Sequence, residues 1–98
     1  MSDREDSQHE MQIQFPAEIQ RGVYANQMVV THTREEFVLD FILATPPVGL
    51  VNARVLVSPS HAKRIVSILN ENISRYESAY GEIKTVAPLK TPSSVTTH

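Results

Sequence analysis

There is no cysteine and no tryptophan in these 98 residues. The missing cysteine excludes disulfides, thiol nucleophiles and thiolate-held metals. Glycine is scarce, and Gly22, Gly49 and Gly81 are too scattered to build a phosphate-cradling loop. An excess of one charge is absent too. Nine basic against eleven acidic residues leave a net charge of −2, which argues against a chain built mainly to grip nucleic acid or anionic lipid. No apolar run approaches the ~20 residues that span a bilayer. The start, Ser2-Asp3-Arg4-Glu5-Asp6-Ser7-Gln8-His9-Glu10, lacks the apolar core of a signal peptide. A small one-domain cytosolic protein is the expectation, with no membrane partner and no cofactor implied.

What is present is most concentrated in Glu36-Phe37-Val38-Leu39-Asp40-Phe41-Ile42-Leu43-Ala44. Side chains alternate across a strand, so Phe37, Leu39, Phe41 and Leu43 point one way and Val38 and Ile42 the other. Both faces of this strand are apolar, and one helix covers only one face of a small sheet. The second face calls for a second copy or another protein.

Proline and glycine punctuate the rest. Residues 1–9 read as a disordered arm, 10–84 as a single domain, and 85–98 as a flexible tail rich in Pro, Ser and Thr. Alternation of apolar and polar residues predicts strands over 11–15, 23–31, 36–44 and 51–57. A short polar hairpin is expected at His32-Thr33-Arg34-Glu35, and a closing loop at Thr45-Pro46-Pro47-Val48-Gly49. Ser58-Pro59 is a helix start, a capping hydroxyl followed by proline in the first turn. Ala62, Ile65, Val66, Leu69, Ile73, Tyr76 and Tyr80 then fall in a stripe about 100° wide, and Gly81 supplies the stop. The expected fold is α+β: a four-stranded antiparallel meander, β-β-β-β-α, with the helix packed on the face of Phe37, Leu39, Phe41 and Leu43.

The other sheet face is then the candidate interface, through Val38, Asp40, Ile42, Arg54 and Leu56. Asp40 and Arg54 meet across it if the third and fourth strands pair. Ile68, the one large apolar residue on a helix flank with His61, Asn72, Arg75 and Ala79, is a further interface candidate. Ser60, His61, Lys63 and Arg64 form a candidate anion-binding group at the helix start, where free N–H groups and the helix dipole favour negative charge. Asn26 is a polar residue on a mostly apolar strand side, read as satisfying either a ladder irregularity or an interface hydrogen bond.

Catalytic chemistry finds no constellation. His9, His32, His61 and His98 have no H-x-x-x-H spacing, so no metal site is expected. Ser58, Ser60 and His61 lack a nucleophile elbow, and Ser58 is taken up as a cap. Asp40 is the one acid between residues 37 and 70, so no carboxylate pair serves hydrolysis.

Several segments taken together resemble a known family. They are Tyr24-Ala25-Asn26, Glu36 to Phe41, Ala53-Arg54-Val55, Ser58-Pro59-Ser60-His61-Ala62-Lys63, and the stretch from Asn72 through Ser74-Arg75-Tyr76-Glu77 to Ile83. The resemblance, over roughly residues 11–83, is to a family of small prokaryotic proteins catalogued only as a domain of unknown function. It supports the element boundaries and implies no activity. At a coarser level the predicted meander and long helix are similar in topology to the subunit of the export chaperone SecB, which associates through sheets and helices.

The functional expectation is a non-enzymatic interaction module that forms a homo-oligomer, chaperone- or adaptor-like, bound to itself and to another protein. The alternative is a nucleic-acid-associated or regulatory protein using Arg54, Lys63, Arg64 and Arg75.

Overall fold

Turn chemistry sets the boundaries of the sheet. The computed structural model describes residues 10–86. The expected arm, 1–9, and most of the expected tail lie outside the described residues. A four-residue helix, α1 (Ala17–Gln20), is followed by strands β1 (Gln27–His32), β2 (Phe37–Thr45) and β3 (Val48–Val57) and by the long helix α2 (Pro59–Tyr80). The strands form one antiparallel sheet in the order β1-β2-β3. The class is α+β, as the periodicity indicates.

Both hairpins are short. Between β1 and β2, the Thr33 N–H donates to the Glu36 carbonyl at 2.9 Å. The Thr33 hydroxyl accepts from the amides of Glu35 and Glu36 at 3.2 and 3.3 Å, so this side chain organises the loop locally. Next to it, the rings of His32 and Phe37 stack with centroids 5.1 Å apart. Between β2 and β3 the chain reverses over Pro46-Pro47 alone, with a cis peptide between them.

That tight reversal corrects the expected five-residue loop and the expected fourth-strand start at 51. The ladder continues to the Thr45↔Val48 pair, and Gly49 lies inside β3 opposite Ala44. The strand expected over 23–31 is also shorter, because residues 23–26 run across the end of the sheet instead of along it. Asn26 anchors this crossing: its Nδ2 donates to the Ala44 carbonyl at 3.0 Å and its Oδ1 accepts from the Ala44 amide at 2.8 Å. An amide side chain here replaces the next backbone rung. Asn52 holds the other end, donating from Nδ2 to the Tyr24 carbonyl at 2.8 Å.

The strand expected over 11–15 is absent. Met11, Ile13 and Phe15 alternate, but the segment meets no sheet edge, and Ile13 is 84% exposed. Alternation describes which side chains would face a core; it does not provide the neighbouring backbone that a strand needs.

The helix forms where its caps and stripe place it. The Ser58 hydroxyl accepts from the His61 amide at 3.1 Å, and Pro59 occupies the first turn. At the far end Gly81 takes φ +96°, a conformation that favours glycine, and its N–H donates to the Glu77 carbonyl at 2.9 Å. A Glu71–Arg75 ion pair, one turn apart, lies on the exposed side.

The expected packing of this helix on its own sheet is not found. Ala62 and Ile65, in the first turns, are half-buried, whereas Val66, Leu69, Ile73, Tyr76 and Tyr80 are exposed. The helix makes only marginal contact with any strand. One residue, Ser58, joins β3 to α2 in extended backbone (φ −70°, ψ 158°). The helix leaves the strand end, and beyond Ile65 its apolar stripe finds no cover among the described residues.

Candidate functional site

Register assigns every strand residue to a face. On one face lie Met28, Val30 and His32 of β1, Phe37, Leu39, Phe41, Leu43 and Thr45 of β2, and Val48, Leu50, Ala53, Val55 and Val57 of β3. This is the Phe41 face. It carries no charged residue. Its four central β2 side chains are half-buried, while Met28, Val30, Leu50 and Val55 are exposed, Leu50 at 60%.

The opposite, Asp40 face carries Val29, Thr31, Val38, Asp40, Ile42, Val51, Arg54 and Leu56. A register shift falls between Phe41 and Ile42, so Ala53 pairs with Phe41 but Val51 with Ile42. Asn52 is the extra residue of this bulge, which frees its side chain to bind the crossing segment. Ile42, at 6% exposure, is the single buried large apolar residue among those described, and its carbonyl accepts from the Asn26 amide at 3.0 Å.

Asp40 is the single buried charged residue among those described, at 3% exposure. Arg54 lies directly opposite on β3 and grips it with both arms: Nε donates to Oδ1 at 2.7 Å and Nη2 to Oδ2 at 3.0 Å. Two parallel charge-assisted bonds fix the relative register of β2 and β3 as well as neutralising the carboxylate. The hydrogen bond from Arg54 is the main cause holding the Asp40 carboxyl below its ordinary value of 3.8, against the opposing effect of burial. The same bond raises the Arg54 guanidinium.

A depressed carboxyl pKa stabilises the fold above the unfolded value and loses that contribution as the pH falls through the folded one. The contribution of Asp40 is therefore complete above pH 3.8 and disappears progressively below it. Urea midpoints measured from pH 6 down to pH 2.5 should fall more steeply below that value in the native chain than in Asp40→Asn. Parallel curves would remove Asp40 as the cause.

The interface candidates read from the sequence are thus partly brought together. Val38 pairs with Leu56 and Asp40 with Arg54, and Ile42 is next along β2. Ile68 is exposed on the helix, away from them. Yet Asp40 and Ile42 are buried within the chain itself, which leaves Thr31, Val51, Leu56 and the outer part of Arg54 as the exposed parts of that face. The more open apolar surface is the Phe41 face, together with the helix stripe. Periodicity places both, but it assumes that they cover each other.

The candidate anion group remains a row of exposed residues. Ser60, His61, Lys63 and Arg64 all lie on the first two turns of α2. The His61 amide is taken up by the Ser58 cap. Among the described residues no three carboxylate or imidazole groups are grouped to hold a metal ion. Likewise, no described helix is long and apolar enough to cross a membrane.

No curated protein and no solved structure matches the chain. The likeness to the SecB subunit rests on topology alone, and the three-stranded sheet lacks the fourth strand on which it depends. A family model described as a protein of unknown function, DUF3467, matches residues 1–85, and the chain belongs to that family.

Proposed function

We propose that this chain is the subunit of a homo-oligomer and acts as a non-enzymatic interaction module of the adaptor or chaperone-like kind. One observation carries the reading: a sheet face and a helix stripe, both predominantly apolar, stand open in the single chain, while among the described residues Ile42 is the one large apolar side chain that is buried. A folded domain of this size ordinarily removes about 60% of its unfolded surface from water. Here the large aliphatic and aromatic residues that should supply that burial face solvent, so association has to complete the core.

A binding role is favoured over catalysis by the state of the polar groups. Both oxygens of Asp40 are engaged by Arg54, and Ser58 serves as a helix cap. The nucleic-acid alternative is weakened by its own cations, since Arg54 is paired with Asp40 and Arg75 with Glu71.

Sedimentation equilibrium at micromolar concentration tests the reading. The expected result is an oligomer whose thermal midpoint rises with protein concentration, because dissociation and unfolding are then one process. A well-folded monomer with a concentration-independent midpoint overturns it.

A further inference from the structure

We infer that the helix α2 of one copy is seated on the Phe41 face of a second copy, and the second copy's helix on the first, in a two-fold exchange. This deepens the oligomer reading and rests on it. Four features of the chain select this occupant.

Length matches first. The 22 residues of α2 span about 33 Å at 1.5 Å per residue. The ten residues of β3 span about the same distance at ~3.3 Å each. Width matches next: three strands at ~4.8 Å spacing make a ribbon roughly 14 Å across, which one helix of ~10 Å diameter covers. Chemistry matches as well, because neither the stripe (Ile65, Leu69, Ile73, Tyr76) nor the face (Leu39, Phe41) carries a charge.

The fourth feature is connectivity. A one-residue joint at Ser58 holds the amphipathic helix away from the complementary face of its own chain. An element kept off its natural site by a short hinge meets the identical site on another copy, which is the geometry of element exchange. Each copy offers one helix and one face. Two copies therefore satisfy both surfaces and leave neither over, so the assembly closes.

The area is of the right size. Six helix positions (Val66, Ile68, Leu69, Ile73, Tyr76 and Tyr80) are large, apolar and exposed, and Met28, Val30, Leu50 and Val55 add four on the sheet face. At roughly 60 Å² for each partly exposed large side chain, these ten positions contribute about 600 Å² per copy, the lower end of what stable interfaces bury.

The chain has no cysteine, so Ser74→Cys, away from the stripe, takes a nitroxide at one position only. Unlabelled-isotope Ser74→Cys protein carrying the nitroxide is unfolded and refolded with an equal amount of nitrogen-15 native chain. Exchange predicts that the Leu39, Phe41 and Val55 amides of the nitrogen-15 chain lose most of their intensity, more than its own α2 amides do. A second sample places label and isotope on the same chain, diluted into excess native protein. Strong broadening of these strand amides there, with none in the mixed sample, shows that each helix folds back on its own sheet and overturns exchange while the oligomer stands. Broadening confined to the partner's α2 shows helix pairing with helix and overturns it equally. A monomer by sedimentation overturns both exchange and the oligomer reading.

Discussion

Phe41→Asp is expected to abolish association at micromolar concentration and, with it, the folded state. Phe41 sits at the centre of the open sheet face, between Met28 and Ala53 in the register. Full burial of an aromatic side chain is worth about 2–3 kcal/mol, and a two-fold assembly loses that twice. The loss, roughly 4–6 kcal/mol, corresponds to a dissociation constant weakened on the order of 1,000- to 10,000-fold. A carboxylate placed among aliphatic neighbours adds its own desolvation cost.

Leu56→Asp is the matched control. Leu56 is as exposed as the open residues of the Phe41 face, such as Leu50 and Val55, but lies on the opposite one, across from Val38. A surface charge there should change stability by less than about 1 kcal/mol. Sedimentation and circular dichroism on the two variants decide between the faces. If Leu56→Asp dissociates the protein and Phe41→Asp does not, the interface is the Asp40 face to which the alternation along β2 first pointed.

That choice between faces is also where the sequence stops being legible. Local signals succeed where the cause is local. Ser58-Pro59 and Gly81 bracket the long helix because a cap, a first-turn proline and a positive-φ glycine act within a few residues. The pairing of Asp40 with Arg54 follows from two strands joined by a short reversal. Burial is not local. The same 3.6-residue stripe that predicts helix for α2 says nothing about whose sheet it covers. Residues 11–15 fail for a related reason: period-two alternation specifies faces, while a strand requires an edge to pair with.

The polar residues at the sheet end carried a fainter signal. Asn26 stands out in the sequence as an amide on an apolar side, and its double hydrogen bond to Ala44 is the ladder repair that such a residue supplies. Asn52 carries no comparable mark. Its role depends on the bulge between Phe41 and Ile42, a feature of register that alternation over 51–57 does not reveal.

Ile42 is where these threads meet, and Ile42→Ala should be among the most destabilising aliphatic truncations in the chain. Its side chain is the one large apolar group that is buried among the described residues. Gly49 leaves room beside it: a Cβ built there would lie 3.5 Å from Ile42 Cγ2, ordinary contact, so the site is filled without strain. The crossing segment is hydrogen-bonded to the Ile42 backbone through Asn26. Removing three carbons deletes contacts on several sides at once, and the ladder on either side of the bulge limits how far the sheet can collapse into the gap. Isoleucine-to-alanine truncations in packed sites cost about 2–5 kcal/mol. A sheet covered by a thin layer relaxes more readily, which places the expected loss near 2–3 kcal/mol per chain. Urea unfolding at fixed protein concentration measures it. Ile42→Val should cost about 1 kcal/mol, and both variants should keep the native assembly size where they remain folded, because this side chain packs within its own chain. An Ile42→Ala protein of native stability that sediments as a monomer would place Ile42 at the interface instead.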